Sequence, residues 1–171
     1  NVQSYHNCSS NSQMKGKKKT GAIAIEFKAE TDCVSMLTPV SYSSFHYTIK
    51  CTQCGAEREN ISFGDSEKEI QGSRGTAHFV MNCKDCKRQC NINYTSNNFN
   101  QESDDYTEWQ RILTLECRGC SIEQVTCNEW SIKSESGKDF EWDAGDDFFE
   151  YDEDLGRPVT VSELQFQIVN A

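Results

Sequence analysis

Two cysteine pairs, Cys51-Thr52-Gln53-Cys54 and Cys83-Lys84-Asp85-Cys86, carry the chemistry most readable in this chain. A Cys-x-x-Cys loop lets two thiolates converge on one ion at a Zn–S distance of roughly 2.3 Å, and two such loops complete a tetrahedral, all-thiolate shell. Gly55 follows the first pair, where such a turn often needs a positive φ that glycine supplies cheaply. The gap between the pairs exceeds the roughly 15–20 residues of the common pattern. Something must loop out between them, or the two halves come from separate hairpins. A Cys-x-x-Cys also serves as a redox dithiol inside cells and as part of a disulfide framework outside them. Two pairs, each after a strand-like run, favour a structural zinc site on Cys51, Cys54, Cys83 and Cys86.

A third pair, Cys117-Arg118-Gly119-Cys120, tests that assignment, because a zinc shell takes only four ligands. The cationic neighbour Arg118 would suit a reactive secondary thiol pair. Alternatively, Cys117 is a small buried strand residue and Cys120 merely follows a turn. The second reading is favoured, since free cysteine often behaves as a small hydrophobe.

These loops need strands to position them. Ile23, Ile25 and Phe27 alternate with polar or small residues, and so do Phe45, Tyr47 and Ile49, which lead to Cys51. Ala77, Phe79 and Met81 form a similar run into Cys83, with Cys90–Tyr94 as its return strand. Thus one scheme occurs twice: a strand that ends in a cysteine knuckle. Cys33–Pro39 reads as irregular, and Gly72–Gly75 as a turn. Trp109–Cys117 has apolar residues on both faces and reads as a central strand covered on each side. Val125–Ile132 reads as a strand broken at Asn128, and Val159–Val169 as the closing strand. The only helical expectation is a turn or two around Ser103–Trp109. The class is all-β: a compact sandwich or barrel-like fold with a zinc-knuckle lobe, about 44–95, built from two hairpins.

With 171 residues, the chain suits one domain over 21–171 after a polar, disordered tail at 1–20. Ten cysteines suggest a disulfide scaffold, but their clustering in pairs suits metal better. No stretch approaches the roughly 18 apolar residues of a membrane span. No secretory signal stands at the N-terminus, so the reading is a reducing, intracellular, cytoplasmic setting with the nucleus left open. The net charge of −10 argues against nucleic acid, whose affinity rests on Lys and Arg. Lys15, Lys17, Lys18 and Lys19 are read as a solvated cluster, with an import or RNA-contacting patch as the lesser alternative. By contrast, Asp139–Asp154 holds nine carboxylates and no Lys or Arg. His6, His46 and His78 are scattered, and no Gly-x-Ser-x-Gly elbow is present.

The chain resembles the eukaryotic CXXC-motif-containing zinc-binding proteins, a family long classed as of unknown function. The features that carry the likeness are Gly21–Ile25, Leu37-Thr38-Pro39, Lys50–Gly55, Gly72–Ala77, Cys83–Cys86, Glu116–Gly119, and an acidic segment with Trp142 and Tyr151-Asp152-Glu153. They span roughly residues 21–171. The resemblance implies a compact all-β protein that holds Zn2+ on Cys51, Cys54, Cys83 and Cys86, with no established enzymatic activity. The chain departs from the family's pattern at Cys120 and in its long N-terminal tail. Nothing resembles the basic domain of similar name that binds CpG DNA.

The function expected is therefore non-catalytic: a monomeric zinc-stabilised protein-interaction module of unknown pathway. Its candidate surface is the acidic, aromatic stretch 139–154, suited to a basic, partly apolar protein partner. The alternative is a thiol-based redox or metal-transfer protein that uses its Cys-x-x-Cys pairs.

Overall fold

A computed structural model of the chain describes residues 21–171. The tail expected at 1–20, with its lysine cluster and His6, lies outside the described residues. In chain order the strands are β1 (Gly21–Asp32), β2 (Val34–Pro39), β3 (Phe45–Cys51), β4 (Glu57–Ile61), β5 (Lys68–Glu69), β6 (Thr76–Ala77) and β7 (Phe79–Asn82). They continue with β8 (Gln89–Asn97), β9 (Gln110–Arg118), β10 (Cys120–Cys127), β11 (Trp130–Ser134), β12 (Asp139–Trp142), β13 (Phe148–Asp152) and β14 (Arg157–Asn170). The class is all-β, as expected. One 3₁₀ turn at Tyr42–Ser44 is the only helical element among the described residues.

A six-stranded antiparallel sheet in the order β13-β14-β1-β9-β8-β7 curls into a half-barrel. Two three-stranded sheets, β10-β3-β4 and β12-β11-β2, accompany it, with a small β5-β6 ribbon. Strand β1 shows why the sequence folds this way. Ile23, Ile25, Phe27 and Ala29 recur every second residue and are all buried. Phe27 meets Trp130 of β11 with ring centroids 5.0 Å apart, which joins the large sheet to a smaller one. Trp130 is fully buried and satisfies its indole N–H on the Cys127 carbonyl at 2.9 Å.

Several expectations change at this level. Cys33–Pro39, expected to be irregular, forms β2 from Val34 onward, because pairing with distant β11 overrides a weak local pattern. Pro39 does end it. The run into Cys83 is divided at His78, whose Nδ1 accepts the Tyr94 backbone N–H at 3.0 Å. The helical turn expected near Ser103–Trp109 is absent. Instead, buried Tyr106 pins that loop, its hydroxyl accepting the Leu37 N–H at 2.9 Å and donating to the Gln101 carbonyl at 3.2 Å. Strand β9 is central, between β1 and β8, but on its second face only Ile112 is buried. The chain breaks at Asn128 as expected, although β10 begins earlier, at Cys120.

Candidate metal centre

Both cysteine pairs sit at hairpin tips: the first joins β3 to β4 and the second joins β7 to β8. The two tips have the same backbone. The Cys51 carbonyl accepts the Gly55 N–H at 3.0 Å and the Cys51 N–H donates to the Ala56 carbonyl at 2.9 Å. In the second tip, the Cys83 carbonyl accepts the Lys87 N–H at 2.9 Å and the Cys83 N–H donates to the Arg88 carbonyl at 2.8 Å. Gly55 has φ +77°, and Lys87, at the equivalent position, has φ +66°. The turn thus requires the left-handed region in both copies, and only the first fills it with glycine.

These turns aim backbone N–H groups at sulfur. The amides of Cys54 and Gln53 lower the Cys51 pKa to about 7, and those of Cys86 and Asp85 lower that of Cys83. The Ala56 amide lowers Cys54, but the Cys83 thiol and burial outweigh it and hold Cys54 at about 12. The Arg88 amide likewise lowers Cys86, while burial and the Cys51 thiol raise it on balance. The backbone amides thus face the sulfurs in both turns and favour the thiolate forms that a metal binds.

Cys51 and Cys86 sulfurs lie 3.6 Å apart, Cys54 and Cys83 sulfurs 3.5 Å, and all four lie within 4.8 Å of one another. A regular tetrahedron of sulfurs around zinc has edges of about 3.8 Å. The four sulfurs therefore fit one four-coordinate ion. The pairs expected from the sequence come together, and none of these cysteines forms a disulfide.

The family described as "CXXC motif containing zinc binding protein, eukaryotic" matches residues 24–169. The chain belongs to that family. Among its relatives, UPF0587 protein C2D10.03c of Schizosaccharomyces pombe is 33% identical over 158 residues, covering 88% of this chain and 99% of that protein. The Homo sapiens CXXC motif containing zinc binding protein is 28% identical over 160 residues, covering 87% and 98%. The crystal structure of C1orf123 superposes with a TM-score of 0.77 at 26% identity, over 88% of this chain and 100% of that one. A hypothetical protein from Plasmodium falciparum shares the fold, with a TM-score of 0.74 at 24% identity over 86% and 98%.

The third pair stands apart from the four ligands. Cys117 lies one residue before the end of β9, Cys120 opens β10, and Gly119 between the strands turns the chain from the large sheet into a smaller one. Gly119 has φ +78°, and a Cβ there would lie 2.7 Å from the Gln89 carbonyl oxygen. Only glycine passes this corner. Its carbonyl accepts the Thr52 N–H of the first knuckle at 3.1 Å, so the corner braces the metal end. Cys117 is buried in its strand as expected. Cys120 does more than follow a turn: it pairs in register with Cys51 and is buried beside Cys90. Cys90, Met81 and Lys87 were not singled out by spacing. Lys87 was legible only by aligning the two knuckles on each other.

Proposed function

We propose that this protein is a zinc-stabilised, non-catalytic interaction module that receives a basic, partly apolar segment of a protein partner. The zinc assignment is supported by the all-thiolate donor set, the tetrahedral spacing and the family. Residues Cys51, Cys54, Cys83 and Cys86 would hold the ion, which would supply rigidity by tying the β3–β4 tip to the β7–β8 tip.

One observation carries the partner reading: an open groove of about 630 Å³ beside β12 and β13. Glu129, Glu141, Asp143, Asp146, Asp147 and Glu150 line it, and no Lys or Arg does. The acidic stretch divides its aromatics. Trp142 and Phe148 are buried, whereas Phe149 and Tyr151 are 67% and 56% exposed. Two large aromatics therefore remain in solvent among the carboxylates. Val40, 57% exposed, adds to the groove. Both β12 and β13 are edge strands with one side unpaired, which suits an extended segment. Charge of one sign in a cleft attracts and orients the opposite sign.

Titration with a decapeptide alternating lysine and leucine tests this. Chemical-shift changes should centre on β12, β13 and Val40. A variant carrying Glu141→Gln, Asp143→Asn, Asp146→Asn, Asp147→Asn and Glu150→Gln should weaken binding about tenfold or more. Equal affinity in that variant would rule the surface out.

At the third pair the redox reading has less support: a reactive dithiol needs a lowered pKa, whereas Cys120 is held at about 12 by the Cys117 thiol, with burial adding to the rise. Cys90 is raised as well, through its contact with Cys120 and burial. Among the described residues, no helix is long and apolar enough to cross a membrane.

A further inference from the structure

The groove beside β12 and β13 is open to an extended segment on two counts. Each strand leaves one edge unpaired, and Val40 and Phe149 stand exposed in its lining. None of its carboxylates is ion-paired among the described residues. The folded part engages its own cations locally. Arg111, Arg118, Lys133 and Arg157 pair with single carboxylates outside the groove, while Lys28 and Lys138 lie over the rings of Trp109 and Phe140.

A run of cations that would match the groove stands at one place in the sequence. Lys15, Lys17, Lys18 and Lys19 crowd together just before Gly21, with Met14 beside them as an apolar residue. No other stretch of the chain has three consecutive Lys or Arg.

Reach decides which copy supplies this run. Gly21 pairs with Cys117 at the knuckle end of β1, whereas Phe148 of the groove is in register with Val161 and, through it, with Thr31 near the other end. At a rise of about 3.3 Å per residue, Gly21 and Thr31 lie about 30 Å apart along β1. A fully extended chain carries Lys15 only about 20 Å beyond Gly21, and the other three lysines less far. The run therefore falls short of its own groove, a limit that does not apply to the groove of a neighbouring molecule.

We infer that the groove receives the Met14–Lys19 run of a second copy of this chain. The inference rests on the groove reading above and names its partner. The lysines meet the unpaired carboxylates, the backbone of the segment adds to an open strand edge, and Met14 supplies apolar contact of the kind that Val40 and Phe149 offer.

The test is sedimentation velocity on the zinc-loaded chain, residues 1–171, beside two variants. One carries Lys15→Gln, Lys17→Gln, Lys18→Gln and Lys19→Gln together; the other is the groove variant described above. The natural chain should associate as its concentration rises, and added salt should weaken that association. Each variant alone should associate about tenfold more weakly or less. Mixed, the two should pair, because one supplies the groove and the other the lysines, and an isotope-labelled lysine variant should then show shift changes at β12, β13 and Val40. Comparing the natural chain with the lysine variant changes no residue of β1–β14, which keeps the test open if the groove variant misfolds. A natural chain that stays monomeric, undiminished association in the lysine variant, no pairing in the mixture, or groove shifts independent of concentration would overturn the inference. If the lysine–leucine decapeptide still binds the lysine variant at β12 and β13, the groove reading survives such a result; if it does not bind, both fall.

Discussion

The two ends of this molecule are held together by different physics. At the knuckle end, only Phe63 and Ala77 are buried between Thr52 and Asn82, so little apolar surface is removed from water there. At the end formed by β11–β13, Trp130, Ile132, Trp142 and Phe148 are buried, with Phe140 packed against them. Trp130 packs against Phe27, Trp142 and Phe166 with centroids 5.0, 6.4 and 6.2 Å away. The first end buries few apolar side chains between its two tips, and four thiols placed for a metal stand there instead. The second has the core, and can leave edge strands, carboxylates and Phe149 open to solvent.

Removing the metal should divide the molecule along this contrast. Apparent zinc-binding free energies in small cysteine-rich modules run to about 10–16 kcal/mol, which matches or exceeds a domain's net stability of roughly 5–15 kcal/mol. Chelation, or Cys51→Ser, is therefore expected to abolish order over about residues 44–95. Hydrogen exchange should show lost amide protection in β3, β4, β7 and the start of β8, with β11–β14 protected. Uniform loss across both ends would break the comparison.

The converse change acts on the aromatic end. Trp130→Ala should cost about 3–5 kcal/mol, read by denaturant unfolding, since the cavity left behind adds to the lost burial. Because Trp130 bridges two sheets, this loss should be global rather than local. Zinc content at low denaturant should be unaffected.

A smaller effect comes from Asp152, which is buried at the β13–β14 turn. Ser134 and Ser136 each donate to its Oδ2 at 2.6 Å, and the amides of Asp154 and Leu155 donate to its other oxygen. These bonds, the Ser134 one foremost, hold its pKa at about 2, below the ordinary 3.8. Because the folded pKa is the lower one, the stability that Asp152 lends is present above pH of about 4 and lost as pH falls towards 2. Unfolding curves across that range should show this loss, and Asp152→Asn should be less stable at neutral pH with a flatter profile. An identical acid profile in the variant would remove Asp152 from the account.

The contrast also explains what was legible in the sequence. The four ligands were, because Cys-x-x-Cys spacing is local and the ion leaves few ways to satisfy four thiolates. The strands that deliver them were legible from alternation in Phe45–Ile49 and Ala77–Met81. Strand β2 was not, since its partner β11 is almost one hundred residues away in the chain and its own pattern is irregular. Nor was the role of Cys120, whose neighbours Cys90 and Cys51 come from other strands. The exposed aromatics Phe149 and Tyr151 looked the same in sequence as buried Trp142 and Phe148. Their difference comes from the sheet each face meets.

The most direct test of the central claim is metal content with zinc-edge X-ray absorption on protein purified without added metal. The expected result is one zinc per chain surrounded by four sulfurs at roughly 2.3 Å. Zinc bound through nitrogen or oxygen, or Cys51, Cys54, Cys83 and Cys86 joined as disulfides with no metal present, would contradict it.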